Sequence, residues 1–438
     1  MTERTNEEPF TELYADALSD CPSDSESDAG NFKYDTVSEG SESDIRPPKS
    51  RKRNIIVSDS DDELEEEWNE HDITPNFSNY LNIPGATVEF DDAPTISEVT
   101  DLFFDKTFFD LIVTQTNLYH SQMKALHKIS AKTVLWTEES TSEIKKFLGL
   151  LILMGQTRKS CWKDYWSTDP LVEVPIFRAT MTRTGFEQIL TFFHLNDNTQ
   201  CIVPQDRLSK IKPLLDYIIP KYQAIYIPKQ ELALDEAMVP FRGRISFRTY
   251  NPAKITKYGI LIRMLCESES GYICNFEIYS GQGKKLQETI LSILEPYLDC
   301  WHHIYQNNYY NSVSTAELLF RRKTLVCGTI RENRGLPKVL LEKSKSLHKG
   351  EMTFLRKGPI VVVTWKDKRI VRMVSTIHDA SMKSSGNRKK NYKDDTIKPT
   401  CILQYNKHMK GVDRADQYLA NSNILRKTVK WYKKLAFF

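Results

Sequence analysis

The stretch Glu231-Leu-Ala-Leu-Asp235 is an apolar run that ends in a carboxylate, and it opens the part of the chain that decides the fold. From about residue 227 onward, short apolar runs with β-branched and aromatic residues alternate with Gly, Pro and Asn, a pattern typical of strands. We predict strands at 231–235, 258–266, 272–279, 302–305 and 324–330, and helices at 285–300 and 314–322. The predicted order is three strands, a helix, a strand, a helix and a strand.

This order suits an α/β ribonuclease H-like core, in which three antiparallel strands are followed by parallel strands joined through helical crossovers. Many mixed α/β domains would fit equally well. Residues 331–400 alternate strand-like runs, at 361–365 and 369–376, with a polar, basic stretch. We interpret 331–400 as an insertion with a mobile loop, which divides the core into a first part at 227–330 and a second part at 401–438.

Two further regions precede the predicted core. Residues 76–226 show apolar positions at spacings of three and four, which predicts an all-helical domain. Within it, Ser140 followed by Glu143 predicts a capping box at a helix start. Residues 1–75 are rich in Ser, Asp and Glu and poor in aliphatic residues, so they cannot bury enough apolar surface to offset chain entropy. We predict a disordered acidic N-terminal arm there.

Charge is distributed unevenly along the chain. Residues 1–72 hold 22 acidic and 7 basic residues, and the totals of 58 and 60 leave 36 acidic and 53 basic residues for the remainder. A body with this basic excess indicates a partner that carries phosphate. The acidic arm also contains a basic cluster, Arg46-Pro-Pro-Lys-Ser-Arg-Lys-Arg53. The cluster is either a nuclear localisation signal, which would place the protein in the nucleus, or a local charge balance.

Several classes of protein are disfavoured by the sequence. The longest apolar run, residues 147–154, is far shorter than the roughly 20 residues that span a bilayer, so we predict no membrane partner. The first thirty residues are acidic and lack an apolar core, so we expect no secretory signal and an intracellular protein. The 8 cysteines show no zinc-finger spacing and read as reduced, buried thiols.

The carboxylate of Asp235 is the first candidate for chemistry. Basic residues follow it closely, at Arg242, Arg244, Arg248, Lys254 and Lys257. Magnesium takes a few carboxylate oxygens, and nearby Arg and Lys side chains hold a nucleic-acid backbone, so the pattern suits a metal-dependent enzyme that acts on phosphodiesters. The alternative is an acidic residue paired with basic neighbours on a surface hairpin, which these residues alone favour.

Four spaced blocks of the chain resemble the piggyBac transposase family. They read Leu234-Asp-Glu-Ala-Met-Val-Pro-Phe-Arg-Gly-Arg244, Asn308-Tyr-Tyr-Asn-Ser312, Cys327-Gly-Thr-Ile-Arg-Glu-Asn-Arg-Gly-Leu-Pro337 and Tyr405-Asn-Lys-His-Met-Lys-Gly-Val-Asp-Arg-Ala-Asp-Gln417. The resemblance extends from about Phe103 to the end of the sequence. It implies a ribonuclease H-like core on which three aspartates bind two magnesium ions, and an in-line attack on a phosphodiester that the ions stabilise.

The resemblance also implies the roles of individual residues. Asp235 would be the first metal ligand and Asp413 the third. The second catalytic position falls on Asn307, where the family has aspartate. An amide oxygen can coordinate magnesium but carries no charge, so we expect weakened metal binding and impaired catalysis. The alternatives are an amide-tolerant active site, and an Asn307 that only forms hydrogen bonds in a polar turn. Asp416 is either a further acidic neighbour or part of a solvated helix face.

The resemblance implies a cysteine-rich zinc domain near the C-terminus, and we expect this chain, at Phe438, to stop before it and before the last core helix. Arg426, Lys427 and Trp431 suit nucleic-acid contact, because aromatic faces stack on bases while basic side chains meet phosphates. They would equally suit an amphipathic helix whose aromatic residues pack inward. Arg388, Lys389 and Lys390 would form a phosphate-binding loop or merely a polar one.

Three functional hypotheses follow. The first is a domesticated, transposase-derived protein that binds double-stranded DNA with little or no strand cleavage. The second is an active, magnesium-dependent cut-and-paste transposase that acts on transposon ends and TTAA targets, as the resemblance implies. The third is a non-enzymatic chromatin adaptor that uses its arm and its helical domain. The resemblance also implies a homodimer, with residues 76–226 in dimerisation and DNA binding.

Overall fold

The computed structural model describes residues 67–90, 93–126, 136–199, 206–252, 254, 256–281, 283–385, 397–421, 424, 428 and 430–438. The strands are β1 (Gly85–Ala86), β2 (Tyr226–Ile227), β3 (Glu231–Pro240), β4 (Thr249–Tyr250), β5 (Tyr258–Glu267), β6 (Ile273–Ile278), β7 (His303–Gln306), β8 (Leu325–Thr329), β9 (Met352–Lys357), β10 (Ile360–Lys366), β11 (Ile370–Ser375), β12 (Met382–Ser384) and β13 (Ile397–Pro399).

The α-helices alternate with these strands in the second half of the chain and dominate the first half. They are α1 (Ile96–Phe103), α2 (Lys106–Leu126), α3 (Thr141–Gln156), α4 (Pro175–Thr180), α5 (Arg183–Phe192), α6 (Lys212–Ile225), α7 (Leu286–Leu294), α8 (Val313–Arg321), α9 (Lys338–Ser344), α10 (Thr400–His408), α11 (Gly411–Asn421) and α12 (Trp431–Ala436). None of the helices described could cross a lipid bilayer.

Within the described residues, a nine-stranded mixed sheet forms the centre of the fold. Its strand order is β4-β5-β3-β7-β8-β11-β10-β9, and β6 also pairs with β5. Strands β3, β5 and β6 are antiparallel, whereas β7 and β8 run parallel to β3. Helices α7 and α8 lie between the parallel strands in the sequence. The sequence had predicted this combination of three antiparallel strands and two helical crossovers.

Strand β3 is longer than the sequence predicted. The prediction placed Asp235 at the end of the strand, but β3 continues to Pro240 and Asp235 lies in its middle. The reason is tertiary, because β3 pairs with β5 along its whole length, from Leu232 opposite Glu267 to Pro240 opposite Gly259. Side chains alternate across β3, so Ala237 and Val239 enter one core while Leu232 and Leu234 enter the other.

The predicted insertion contributes strands to the same sheet. β11 pairs antiparallel with β8, and β10 lies between β11 and β9. Within 331–400, the strands β9, β10 and β11 therefore extend the central sheet at its β8 edge, with β9 as the outer strand, while β12 and β13 pair in a separate sheet. The predicted runs at 361–365 and 369–376 correspond to β10 and β11.

Helices α1 to α6 occupy the region for which the sequence predicted helices. Ser140 caps α3 by accepting a hydrogen bond from the backbone N–H of Glu143 at 3.3 Å, which is one half of the predicted capping box. This helical region shares one apolar core with the sheet, since Phe108 and Phe147 belong to the same buried cluster as Val239 and Ile262. The helices thus cover the sheet face that carries Asp235.

The segment from residue 67 to residue 90 lies across the sheet. Asn69 forms an antiparallel bridge with Arg356 of β9, and Asp72 forms an ion pair with the same arginine. Phe77 and Tyr80 then contact His303 and His302 at the start of β7. The acidic arm was predicted to extend to residue 75, but Trp68, Asn69 and Asp72 already contact the folded body. Local sequence could not indicate this boundary, because the contacts of Asn69 and Asp72 join residues more than two hundred positions apart.

Candidate active site

Asp235 and Asn307 meet because β3 and β7 are parallel neighbours. Leu234 pairs with Gln306, so the next residues along the two strands, Asp235 and Asn307, emerge side by side. Nδ2 of Asn307 donates to Oδ1 of Asp235 at 2.9 Å and to Oε2 of Glu236 at 3.2 Å. The two sequence-predicted site residues are therefore in direct contact.

The orientation of the Asn307 amide follows from the turn after β7. The backbone N–H of Tyr309 donates to Oδ1 of Asn307 at 2.8 Å, which engages the amide oxygen. Only the NH₂ group then faces the two carboxylates. A carboxylate at this position would have no N–H to donate to Asp235. It would instead place a second negative charge beside the carboxylate of Asp235.

Helix α11 carries the third predicted position to the same sheet face. Its first residue, Gly411, lies so close to the strands that a Cβ there would be 2.9 Å from the carbonyl oxygen of Glu267 and 3.1 Å from Cβ of Ala233. Nη1 of Arg414 donates to the carbonyl oxygen of Ser268 at 2.8 Å, which fixes the helix against the β5–β6 turn. Asp413 and Asp416 then belong to the first two turns of the helix.

The carboxylates of this site perturb one another. Burial raises the pKa of Asp235, Lys254 opposes that rise and Glu236 adds to it. Partial burial and the charge of Asp235 raise the pKa of Asp413, which lies on the exposed rim. Burial also raises the pKa of Asp416 to about 6, with Lys254 opposing. Asp235, Asp413 and Asp416 thus form one electrostatic group, which accumulates negative charge that a bound cation would stabilise.

Basic side chains border these carboxylates. Nζ of Lys254 donates to the carbonyl oxygen of Glu236 at 2.8 Å, so this lysine lies beside the group. Arg242, Arg244, Arg248 and Lys257 are exposed in the segment between β3 and β5. These five basic residues, all predicted to bind DNA, therefore belong to the β3–β5 connection.

Sequence reasoning missed three residues near the site. Glu236 was quoted without a role, although it accepts from Asn307. Nε of Arg331 donates to Oδ1 of Asn308 at 3.2 Å, and Nη2 of Arg334 reaches the carbonyl oxygen of Tyr309 at 3.5 Å. Arg331 and Arg334 belong to the quoted block that runs from Cys327 to Pro337. Their place in that block was the sequence signal that could have identified them as site residues.

The C-terminal aromatic residues pack inward, which was one of the two alternatives for Trp431. Its ring packs against Phe247 with centroids 5.2 Å apart, and Tyr432 and Lys433 are buried. Nζ of Lys433 donates to the carbonyl oxygen of Thr191, near the end of α5. This packing favours the alternative in which the aromatic residues of α12 pack inward, although Trp431 keeps part of its surface exposed. Arg388, Lys389, Lys390, Arg426 and Lys427 lie outside the described residues.

Comparison with known proteins agrees with the four sequence blocks. A family model described as Transposase IS4, which covers piggyBac-type transposases, matches residues 97–438. The chain belongs to the piggyBac-type transposase family. It is 27% identical over 415 residues to the human (Homo sapiens) PiggyBac transposable element-derived protein 3, covering 90% of this chain and 66% of that protein. It is 23% identical over 411 residues to the human PiggyBac transposable element-derived protein 2, covering 89% and 66%.

A solved structure shares the fold as well. The match is the cryo-EM structure of a piggyBac transposase synaptic complex with hairpin DNA, with a TM-score of 0.68 and 26% identity over 81% of this chain and 74% of that one. The mixed α/β architecture of this chain is thus that of a piggyBac transposase. The chain spans just under two thirds of the length of the human relatives named above.

Membership in this family of DDE-type transposases implies a divalent metal. The residues present do not fit a complete two-ion site. No group of three or more His, Cys, Asp or Glu side chains within the described part of the chain is arranged to hold a metal ion. Asn307 supplies hydrogen-bond donors where a ligand would be needed.

Proposed function

We propose that this protein is a transposase-derived DNA-binding protein whose strand-cleavage activity is impaired at Asn307. The observation that carries the proposal is the Asn307 amide, which donates to both Asp235 and Glu236 while its oxygen accepts from Tyr309. The family ancestor would have cut and pasted DNA at TTAA sites. The chain would retain the DNA partner and lose most of the chemistry.

The physical argument concerns charge and lone pairs. A magnesium ion needs oxygen ligands, and an ionised carboxylate supplies them with a negative charge. At Asn307 the charge is absent and the amide oxygen is already engaged. In addition, the NH₂ group of Asn307 occupies a lone pair of Oδ1 of Asp235, and Asp235 is the residue proposed as the first ligand of the ion. Coordination by Asn307 would require the amide to turn over and the turn at Tyr309 to lose a hydrogen bond.

Three observations support the retained DNA partner. The strand order β6-β5-β3-β7-β8, with three antiparallel and two parallel strands, favours the ribonuclease H-like core on which Asp235, Asn307 and Asp413 would form the site. Arg242, Arg244 and other exposed basic residues border it, and such side chains hold phosphates. The structural relative is itself a synaptic complex with hairpin DNA.

The same proposal includes a nuclear location and a homodimer. A protein that binds chromosomal DNA must reach the nucleus, and the basic cluster at 46–53 is the candidate signal. Two DNA ends must be held together for cut-and-paste chemistry, which a dimer of this chain would do. Magnesium is the proposed ion for a restored site, with Asp235 and Asp413 as ligands.

The test compares the parent chain with Asn307→Asp on a labelled duplex that carries a terminal repeat, with Mg²⁺ or Mn²⁺. We expect both proteins to bind the duplex and only the variant to nick it. Asp235→Asn in the Asn307→Asp background is the matched control, because it removes the first ligand again without changing the shape of the side chain. Nicking by the double variant would indicate a contaminating nuclease.

Each result assigns the function. Cleavage by the parent chain would overturn the proposed impairment and favour the active, magnesium-dependent transposase. Absence of duplex binding by both proteins would overturn the DNA-binding role, and the chromatin-adaptor hypothesis would then remain. Retained binding with cleavage only after Asn307→Asp is the outcome that the structure favours.

A further inference from the structure

Two exposed tyrosines form a pair at the edge of the sheet. Tyr250 of β4 and Tyr258 of β5 are direct cross-strand partners, and their ring centroids are 4.6 Å apart with an interplanar angle of 36°. Tyr250 is 51% exposed and Tyr258 is 47% exposed. Rings of this size usually bury most of their surface in a monomer, so a half-exposed pair of tilted rings in contact indicates a binding surface.

The pair is held rigidly. β4 contains only two residues, but Gly259, the partner of Thr249, packs so closely on β3 that a Cβ there would be 2.2 Å from the carbonyl oxygen of Val239. The guanidinium of Arg248 lies over the ring of Tyr258, 5.7 Å from its centroid. Tyr258 therefore contacts both Arg248 and Tyr250, and Tyr250 is the more exposed of the two rings.

The surroundings of the pair are cationic. Nη1 of Arg248 donates to the carbonyl oxygen of Arg242 at 2.9 Å, which ties the Arg242–Arg244 turn to the tyrosines. Lys257 is exposed next to Tyr258. Lys254, which lies between β4 and β5 in the sequence, contacts the carbonyl oxygen of Glu236 beside the carboxylate site. Basic side chains thus lie both beside the tyrosine pair and beside Asp235.

We propose that Tyr250, supported by Tyr258, stacks on an unpaired base of DNA that is bound next to the carboxylate site. Exposed aromatic rings among basic side chains bind single-stranded nucleic acid, because the rings stack on bases while the cations meet phosphates. In an intact duplex both faces of each base are covered by neighbouring pairs. The ligand is therefore a single-stranded overhang or an opened DNA end.

The position of the pair sets the length of that strand. Along the direction of β3, Asp235 lies six residues from the position opposite Tyr258. This distance is roughly 20 Å at about 3.4 Å per residue. A strand that keeps the spacing of about 3.4 Å per nucleotide found in duplex DNA would cover this distance in about six nucleotides, and a more extended strand in fewer. This inference rests on the proposed DNA-binding function and adds the structural class of the ligand.

The experiment measures dissociation constants for three probes: a blunt duplex, the same duplex with a six-nucleotide 3′ or 5′ overhang, and the single strand alone. Overhang and single strand carry 2-aminopurine, whose fluorescence falls when it stacks. We compare the parent chain with Tyr250→Leu, which removes the aromatic face, and with Tyr250→Phe and Tyr250→Trp, which keep it. Arg242→Ala is the control for general phosphate binding.

We expect the parent, Tyr250→Phe and Tyr250→Trp to prefer the overhang and to quench the probe. Tyr250→Leu should lose that preference by about 5- to 100-fold, with unchanged affinity for the blunt duplex, since stacking on one base is worth about that factor. Arg242→Ala should weaken binding to all three probes alike.

The outcomes separate this inference from the proposed function. Retained preference and quenching in Tyr250→Leu would overturn the stacking role. Equal weakening of all probes by Tyr250→Leu would show that the ring only supports the basic turn, and would also overturn it. If the parent does not bind the blunt duplex, the proposed function fails. The stacking role would still be supported if the parent quenches 2-aminopurine in the single strand and Tyr250→Leu does not.

Discussion

Arg356 and Asp72, 284 positions apart in the sequence, form an ion pair in which Nε and Nη2 of the arginine donate to the same carboxylate oxygen at 3.0 and 2.9 Å. The arginine side chain is 2% exposed and the aspartate side chain 29% exposed. The other oxygen of Asp72 accepts from the backbone N–H of Ala380 at 2.8 Å. One carboxylate thus joins the N-terminal segment, β9 and the loop after β11.

Removal of this carboxylate should be costly. Asp72→Ala leaves the Arg356 charge buried without its partner, which we expect to lower the free energy of unfolding by about 2–4 kcal/mol. Urea unfolding measures the change. Glu70→Ala breaks the exposed ion pair with Lys343 and should cost less than about 1 kcal/mol. If the two variants lose equal stability, the buried pair is not what fastens the segment.

Asn307→Asp should make stability depend on metal. Without a divalent ion, a third carboxylate replaces the donor between Asp235 and Glu236, and we expect a loss of about 1–3 kcal/mol at pH 8. Added Mn²⁺ should restore the lost stability, because an ion that binds only the folded state stabilises it. Thermal unfolding with and without Mn²⁺ measures both effects.

Asn307→Ala is the control for that experiment, since it removes the same hydrogen bonds without adding charge. It should show no gain from Mn²⁺ beyond that of the parent chain. An equal response of the parent and Asn307→Asp to the ion would contradict the idea that position 307 limits metal binding.

The raised pKa of Asp416 predicts a pH-dependent effect of Asp416→Asn. The folded-state pKa of about 6 lies above the ordinary value of 3.8, so the folded protein holds this proton more tightly than the unfolded chain does. The carboxyl group therefore costs nothing below about pH 4, and its cost grows as the pH rises through 6. Asp416→Asn should match the parent near pH 4 and exceed its stability by about 1–2 kcal/mol at pH 7.5, after allowance for partial exposure.

Chemical denaturation at the two pH values checks this prediction. Asp216→Asn, on the exposed side of α6, should change stability by less than about 0.5 kcal/mol at both. A stability difference for Asp416→Asn that is the same at pH 4 and pH 7.5 would mean that the carboxyl group is not desolvated in the folded protein.

Two glycines should respond oppositely to alanine. A Cβ on Gly328 would lie 1.8 Å from the carbonyl oxygen of Gln306 and 2.4 Å from Nδ2 of Asn311, so Gly328→Ala must push β7 and β8 apart next to Asn307. We expect a loss of about 2 kcal/mol or more. Gly149, inside α3, has no such neighbour within 4 Å, and Gly149→Ala should gain about 0.5–1 kcal/mol. Urea midpoints of the two variants measure the contrast; a loss in both would contradict it.

Local patterns predicted the parts of the fold that local forces decide. The period of the apolar residues gave the order of strands and helices from 231 to 330, and Ser140 gave the start of α3. The prediction that Asp235, Asn307 and Asp413 share one site came from the resemblance of the quoted blocks and not from these local patterns. The same patterns could not say where β3 ends, because its continuation past Asp235 depends on pairing with a strand that begins eighteen residues after β3 ends.

The sequence by itself determined the family, the order of the core elements and the presence of an amide at position 307. Only the tertiary structure decided that this amide presents its NH₂ group to Asp235 and Glu236, that Trp431 packs on Phe247 while Tyr250 stays exposed, and that Asp72 belongs to the folded body. The physical reason is that periodicity and capping act between neighbours in the chain. Which polar groups share a hydrogen bond, and which rings lose water, depends on segments that only packing brings together.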